Sequence, residues 1–398
     1  MVWLIVTMAL LMGVGIMSSR SNILSPAVLT SAVWLFCLLL FVVLPHDLPM
    51  PSWQFLGALL LWTLGLSLSS LTMQSVRYQP YHEEADVTTR TIYLAISLLT
   101  VPGLVMFAVG SLQEAQTLGW ANALRQSAIG RSGDGEIYGG LQVIIWQVSY
   151  MLELYYADRS SRWRVILAGT ILLGFAFLTM SKWGFLSFFL TTVTVLYFKQ
   201  KITLRHILIG MGVLFVLFVG IQAARYATDF GGVNKNSFTV LYLLSSISAF
   251  DTLEPASAAH WGENVFRAIY AVLNKLGLSS VEPPSSLLPF ISKPIETNTY
   301  TTMYPFFKDF GYVGVGLFAI LMGSLYGYLF KKAQLGGAFY VLLYSVCVNF
   351  LVIQFANEML MTSLLAYVKQ WIFLLLPFLA TKYRVFTKNS KSLVKIDD

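Results

Sequence analysis

The chain has 398 residues, 57% of them apolar and 11% charged, with a mean hydropathy of +0.69 and a formal net charge of +7. This composition excludes a soluble globular enzyme and describes a polytopic membrane protein. The positive charge requires no nucleic acid, because topology and anionic headgroups both select short basic loops. Cys37 and Cys347 both fall in apolar runs, which argues against an exported disulfide and lacks metal-site spacing.

Apolar runs able to cross a hydrocarbon core of roughly 30 Å lie near 2–17, 28–44, 53–73, 91–112, 138–157, 165–180, 183–198, 207–223, 312–330, 338–356 and 362–380. They predict an all-α membrane fold with about eleven transmembrane helices. The first run lacks a basic leading region and a small-residue cleavage pattern, so it reads as a helix rather than a secretory signal.

Between these runs the basic residues alternate by side. One side carries Arg20, Arg77, Arg90, Arg159, Arg162, Arg164, Lys199, Lys201, Arg205, Lys331 and Lys332, and then a tail with Lys382, Arg384, Lys388, Lys391 and Lys395. The other side has no Lys or Arg in 45–52 or 357–361. The positive-inside rule therefore predicts an exported N-terminus and a cytoplasmic C-terminus.

Two exported segments are too long for simple turns, 113–137 and 224–311. The expected organisation is 1–223 as membrane helices with the shorter exported segment, 224–311 as the large exported loop, 312–380 as the last three helices, and 381–398 as a basic tail. Within the large loop, Phe266, Ile269, Tyr270 and Leu273 repeat at helical spacing over 263–275, with Arg267 on the polar side. That pattern predicts an amphipathic helix at the membrane surface. Glu282-Pro-Pro, Pro289 and Lys293-Pro294 then predict a stiff connection that could cover a cavity.

The chain carries no Gly-rich phosphate loop, no paired His or Cys ligands and no Gly-x-Ser-x-Gly. No cofactor and no metal are expected: Asp251, Glu254, Glu263 and Asp309 are the acids that could hold a metal, but scattered acids in a polar loop are more often solvated. Glu153 and Lys369 are the ionisable residues that read as most embedded in spans, the usual mark of function. They also serve a rival reading as a transporter or lipid-glycan flippase, although only Pro102-Gly103 and Pro377 interrupt spans.

The most specific stretch joins the large loop to a span. Asn298-x-Tyr300-Thr301 and Lys308-Asp309-Phe-Gly311-x-x-Gly314, with Phe250-Asp251 upstream and Gly323-x-x-x-Gly327 downstream, resemble the pattern of bacterial O-antigen polymerases, the Wzy-type oligosaccharide repeat-unit polymerases. The resemblance is loose over most of the chain and closer over 240–335. Some members carry paired Arg-x10-Gly motifs, and no Arg here has a Gly at that spacing.

The resemblance implies a GT-C-like membrane glycosyltransferase in the bacterial inner membrane, with the large loop in the periplasm. Its substrates would be undecaprenyl-diphosphate-linked repeat units and the growing glycan. A Wzz-type chain-length regulator and a flippase would be its partners, with membrane lipids around it and no nucleic acid. The nearest competing activity is O-antigen ligase, which uses the same donor.

In such a reaction a lipid diphosphate departs, and arginine's planar fork suits the charge that develops. Arg125, Arg131 and Arg225 are the candidates for that contact. The alternatives are pairing with Asp134 or Glu136 for the first two and snorkelling for Arg225. Arg267 is a further substrate-binding candidate, or it pairs with Glu263. His260 leads Asp251, Glu254 and Glu263 as general base, on a reference pKa of about 6.5 and on analogy with related ligases. Asn298, Tyr300, Thr301 and Tyr304 offer rings and polar groups to a sugar. Asp309 reads either as substrate-binding or as the N-cap of a helix beginning near Gly311. Gly311, Gly314 and Gly316 are expected to permit a turn and close packing.

Overall fold

The computed structural model describes residues 1–19, 22–80, 83–113, 120–130, 140–226, 243–285, 288–292 and 297–394, excepting the side chains of 122, 126, 129–130, 222–226 and 384–394. In chain order its helices are α1 (Val2–Ser18), α2 (Pro26–Val43), α3 (Trp53–Ser75), α4 (Val87–Leu99), α5 (Val101–Gln113), α6 (Trp120–Gly130), α7 (Gly140–Tyr155), α8 (Arg162–Leu178), α9 (Lys182–Phe198), α10 (Leu204–Tyr226), α11 (Ser245–Phe250), α12 (Arg267–Lys275), α13 (Tyr304–Gln334), α14 (Ala338–Val352) and α15 (Leu364–Val394). Among the described residues there is no strand, only an isolated bridge between Ile291 and Thr297.

Among the described residues, six helical stretches are long and apolar enough to cross a membrane: Pro26–Val43, Trp53–Ser75, Val87–Gln113, Leu204–Ile221, Tyr304–Gln334 and Leu364–Tyr383. The other five expected spans are also helical but only 15 to 17 residues long. The chain is thus an all-helical, polytopic membrane protein.

Local chemistry sets the boundaries. Ser52, Asp86 and Ser181 cap α3, α4 and α9 by accepting the amides of Gln54, Thr89 and Gly184, and Pro26 opens α2. The expected break at Pro102-Gly103 falls at Thr100, between α4 and α5. Pro377 is accommodated inside α15. Its missing N–H leaves the Phe373 carbonyl without a helical donor, and the Tyr93 hydroxyl donates to that carbonyl at 2.9 Å.

The chain forms two compact units. The first comprises Met1–Gln79, Asn234–Lys332 and Cys347–Leu365. In it, Gly323 and Gly327 of α13 lie against α3, where an added Cβ would collide with Leu66 and Ser69 or with Ser70. Phe306 stacks between Trp62, with ring centroids 5.5 Å apart, and Phe318, at 4.7 Å.

The second unit comprises Pro80–Val233, Ala333–Val346 and Ala366–Asp398. The segment 113–137, expected as a loop, contains α6 instead. Ala121 and Leu124 pack with Ala176, Met180, Phe185 and Ile221, because an apolar stripe of α6 has a hydrophobic surface to cover. In the same unit Glu153 is 1% exposed and accepts from Arg164 Nε at 2.8 Å, Arg164 Nη2 at 2.7 Å and Arg90 Nη2 at 3.1 Å. Two residues read as cytoplasmic loop charges therefore close an internal ion triad. Lys369 lies on an exposed face of α15, within the candidate span Leu364–Tyr383.

Candidate active site

The candidate residues divide between the units. Arg125, Arg131 and Arg225 belong to the second, and the remainder belong to the first. Arg125 is half-buried on α6. Arg131 lies outside the described residues, and Arg225 occupies the last turn of α10, its side chain outside the description.

In the first unit the described segment that leads into α13 is held at two places. At its start, the Asp251 carboxylate accepts the backbone N–H of Ser52 at 2.8 Å and also the Ser52 hydroxyl, while Gln54 Nε2 donates to the Leu253 carbonyl at 2.7 Å. Phe250 is fully buried between Phe55 and Phe307, with centroids 5.8 and 4.8 Å away. The Phe-Asp pair thus fastens the segment to the N-terminus of α3.

At its end, the helix begins at Tyr304 rather than near Gly311 and bends at Gly311, where φ is 60° and ψ −146°. This backbone region is essentially reserved for glycine. The bend releases helical carbonyls from their usual donors. Ala256 N–H fills the Phe307 carbonyl at 3.0 Å, and Ala258 N–H fills that of Lys308 at 3.1 Å. Gly314 is needed because a Cβ there would meet the Phe306 carbonyl. Gly316, expected to serve packing, has open space around it.

Asp309 does not cap its own helix, correcting that expectation. It lies inside α13, 9% exposed, and accepts the Val265 amide at 2.7 Å, the Asn264 amide at 3.0 Å and Asn264 Nδ2 at 2.6 Å. The donors are those of the turns leading into α12. Glu263 accepts the amides of Ala259 and His260 at 2.9 and 3.1 Å. Asp251, Glu263 and Asp309 are thus all engaged with backbone amides. Among the described residues no three His, Cys, Asp or Glu side chains gather as a metal site.

His260 and Trp261 are exposed. Trp261 lies over Phe266 and Phe310, with centroids 5.5 and 5.3 Å apart. Phe266 turns inward toward α13, while Ile269, Val272, Leu276 and Leu278 leave an exposed apolar face on and after α12. Arg267 donates from Nε to the Pro284 carbonyl at 2.6 Å and from Nη1 to the Thr362 carbonyl at 3.3 Å. It thereby bridges the proline-rich connection and the turn before α15. Lys293-Pro294 lies outside the described residues.

Tyr300, Thr301 and Tyr304 are buried and offer little surface to a sugar, whereas Asn298 is half-buried. Tyr300 and Tyr304 pack with Ala249 against Leu253, Leu288 and Ile291. The Tyr300 hydroxyl donates to the Pro289 carbonyl at 3.2 Å. Their rings, read as sugar-facing, pack against Leu253, Leu288 and Ile291 of the segment before α13.

Beside this segment lies a polar cluster not singled out by the sequence. Gln354 Oε1 accepts the indole N–H groups of Trp62 at 2.7 Å and Trp34 at 3.3 Å. Its Nε2 donates to Thr30 at 2.9 Å, and its carbonyl accepts the Thr302 amide at 2.8 Å. One turn further on, Glu358 is 2% exposed and accepts from the Met361 amide at 2.9 Å and from the Thr362 amide and hydroxyl at 2.9 and 3.2 Å. Burial pushes its carboxyl above the usual range, against the pull of these donors. An acid within a short segment between two apolar runs is the signal the sequence offers.

No curated protein and no solved structure matches the chain. Residues 172–368, about half of the chain, match the family model described as "Putative O-antigen polymerase". The match includes the Phe250-Asp251 anchor, the Gly311 bend and the Glu358 turn. Through this half, the chain belongs to the O-antigen polymerase family.

Proposed function

We propose that this chain polymerises undecaprenyl-diphosphate-linked oligosaccharide repeat units into O-antigen at the periplasmic face of the inner membrane. The observation that carries this reading is the family match over 172–368, which takes in the exported segment and its junction with α13. The growing glycan passes from its lipid diphosphate to a terminal sugar hydroxyl of the incoming unit. Arg225, Arg125 and Arg131 would stabilise the departing diphosphate through bidentate contacts. His260 and Arg267 would serve the exported face. The segment from Asn298 to Asp309 would shape the glycan's path, chiefly by fixing the loop. A GT-C-like arrangement, an exported N-terminus and a cytoplasmic tail belong to the same reading, as do a Wzz-type regulator and a flippase as partners.

Deletion in the native host tests the activity. Lipopolysaccharide capped by a single repeat is the expected result. Core without any repeat would instead mark a ligase, and loss of exported lipid-linked units would mark a flippase.

A further inference from the structure

In the first unit, Trp62, Thr302, Tyr326, Gln354 and Glu358, with apolar side chains between them, line a narrow cleft with room for about one water-sized group. Its walls are mostly apolar, but two polar groups stand out. The Glu358 carboxylate has no cation partner among the described residues. The Thr302 hydroxyl makes no hydrogen bond among them.

A buried carboxylate is costly unless compensated. Glu358 is held only by uncharged donors of its own turn, with three of four contacts on Oε2 and one, a shared Met361 amide, on Oε1. A turn needing only a cap would be served by an exposed Asp, Asn or Ser. Placing the acid against a slot beside an unengaged hydroxyl is what one sugar hydroxyl would require, with an acceptor for its proton and a donor for its oxygen.

The surroundings keep this geometry fixed. Gln354 spends its carboxamide on two indoles and Thr30, and its carbonyl holds the Thr302 amide. Arg267 fastens the Thr362 carbonyl, on the residue whose amide and hydroxyl hold Glu358. Tyr326 is the only other titratable group on the cleft wall, and Arg267 is the charged side chain that reaches the turn among the described residues.

We propose that Glu358 is the proton acceptor for the sugar hydroxyl that receives the glycan, with Thr302 orienting that hydroxyl in the cleft. This rests on the polymerase reading above. The hydroxyl proton passes to Glu358, and the oxygen's electron pair forms the bond to the anomeric carbon. The bond from that carbon to the lipid diphosphate breaks, and its electron pair leaves with the diphosphate. Glu358 then returns the proton to solvent. Burial raises its proton affinity and so makes it a stronger base than an exposed carboxylate.

The test uses full-length protein in lipid with purified lipid-linked repeats, following the rate from about pH 5 to 8. Wild type should lose rate as pH falls through the Glu358 titration. Glu358→Gln should lose roughly 10²–10⁴-fold in rate, the usual contribution of a general base, at unchanged melting temperature. Glu358→Asp should recover part of the loss. If wild type polymerises and the Gln variant matches it, the proton-acceptor role is overturned while the polymerase reading stands. If wild type itself makes no polymer, both fail. Should the Gln variant not fold, a wild-type rate independent of pH overturns the role and an acid limb supports it.

Discussion

The Asp309 carboxylate accepts the Val265 amide at 2.7 Å, joining the first turns of α13 to the chain entering α12. Asn264 adds its amide and its carboxamide. The carboxylate thereby ties the chain entering α12 to α13. Asp309→Ala should therefore strand three donors at about 1–3 kcal/mol for each one left buried and unpaired. Asp309→Asn, with a single acceptor oxygen, should fall between. Thermal unfolding in detergent measures both, and polymer length should decline in step with folded protein. Loss of polymer at native stability would return Asp309 to the chemistry.

Gly311 and Gly316 should separate cleanly despite lying in one motif. At Gly311 the backbone conformation excludes a side chain, so Gly311→Ala should destabilise by about 1–3 kcal/mol. It should also loosen the 256–258 contacts, exposing nearby peptide bonds to protease. Gly316 is helical with open space around it, so Gly316→Ala should be neutral or stabilising by up to about 1 kcal/mol. Equal losses in the two variants would mean that the bend is not the feature being protected.

Much of the molecule was legible because the length of an apolar run is a local property. What escaped depended on partners distant in sequence. The carboxylate of Asp309 meets residues 44 and 45 positions away, so its loop-fixing role could not be read from the helix it enters. Glu153 was visible as an embedded charge, but its partners lie 63 and 11 positions away and turn it into structure. Tyr300 and Tyr304 have the chemistry of a sugar platform, and only packing reveals that their rings are covered. Glu358 leaves no periodic signature, because its burial depends on Thr302, Gln354 and the turn at Met361 and Thr362 rather than on its own short segment.

Glu153→Gln should cost about 3–5 kcal/mol, because Arg90 and Arg164 would lose the carboxylate that compensates both. Melting temperature and membrane abundance should fall, with activity per folded molecule preserved. A stable Gln variant that lacks activity would instead assign Glu153 to proton or substrate handling.

Orientation can be tested without a cysteine-free background, since Cys37 and Cys347 are both buried. A cysteine at exposed Ser285 should react with an impermeant maleimide in intact spheroplasts, and one at Ser390 only after permeabilisation. The opposite pattern would invert the topology and remove the exported-site assignments with it.

Arg225 offers the sharpest test of the leaving-group contact. It sits in the last turn of α10, and under the proposed topology a cation there would meet a lipid diphosphate. If its fork stabilises the departing charge, Arg225→Ala should abolish polymer at unchanged protein level. Arg225→Lys should restore only part, because one ammonium cannot make the paired contact. An anchor that merely snorkels would accept Lys in full. Normal polymer in the Ala variant at native abundance would exclude Arg225 from the site and leave Arg125 and Arg131 as the cations to test next.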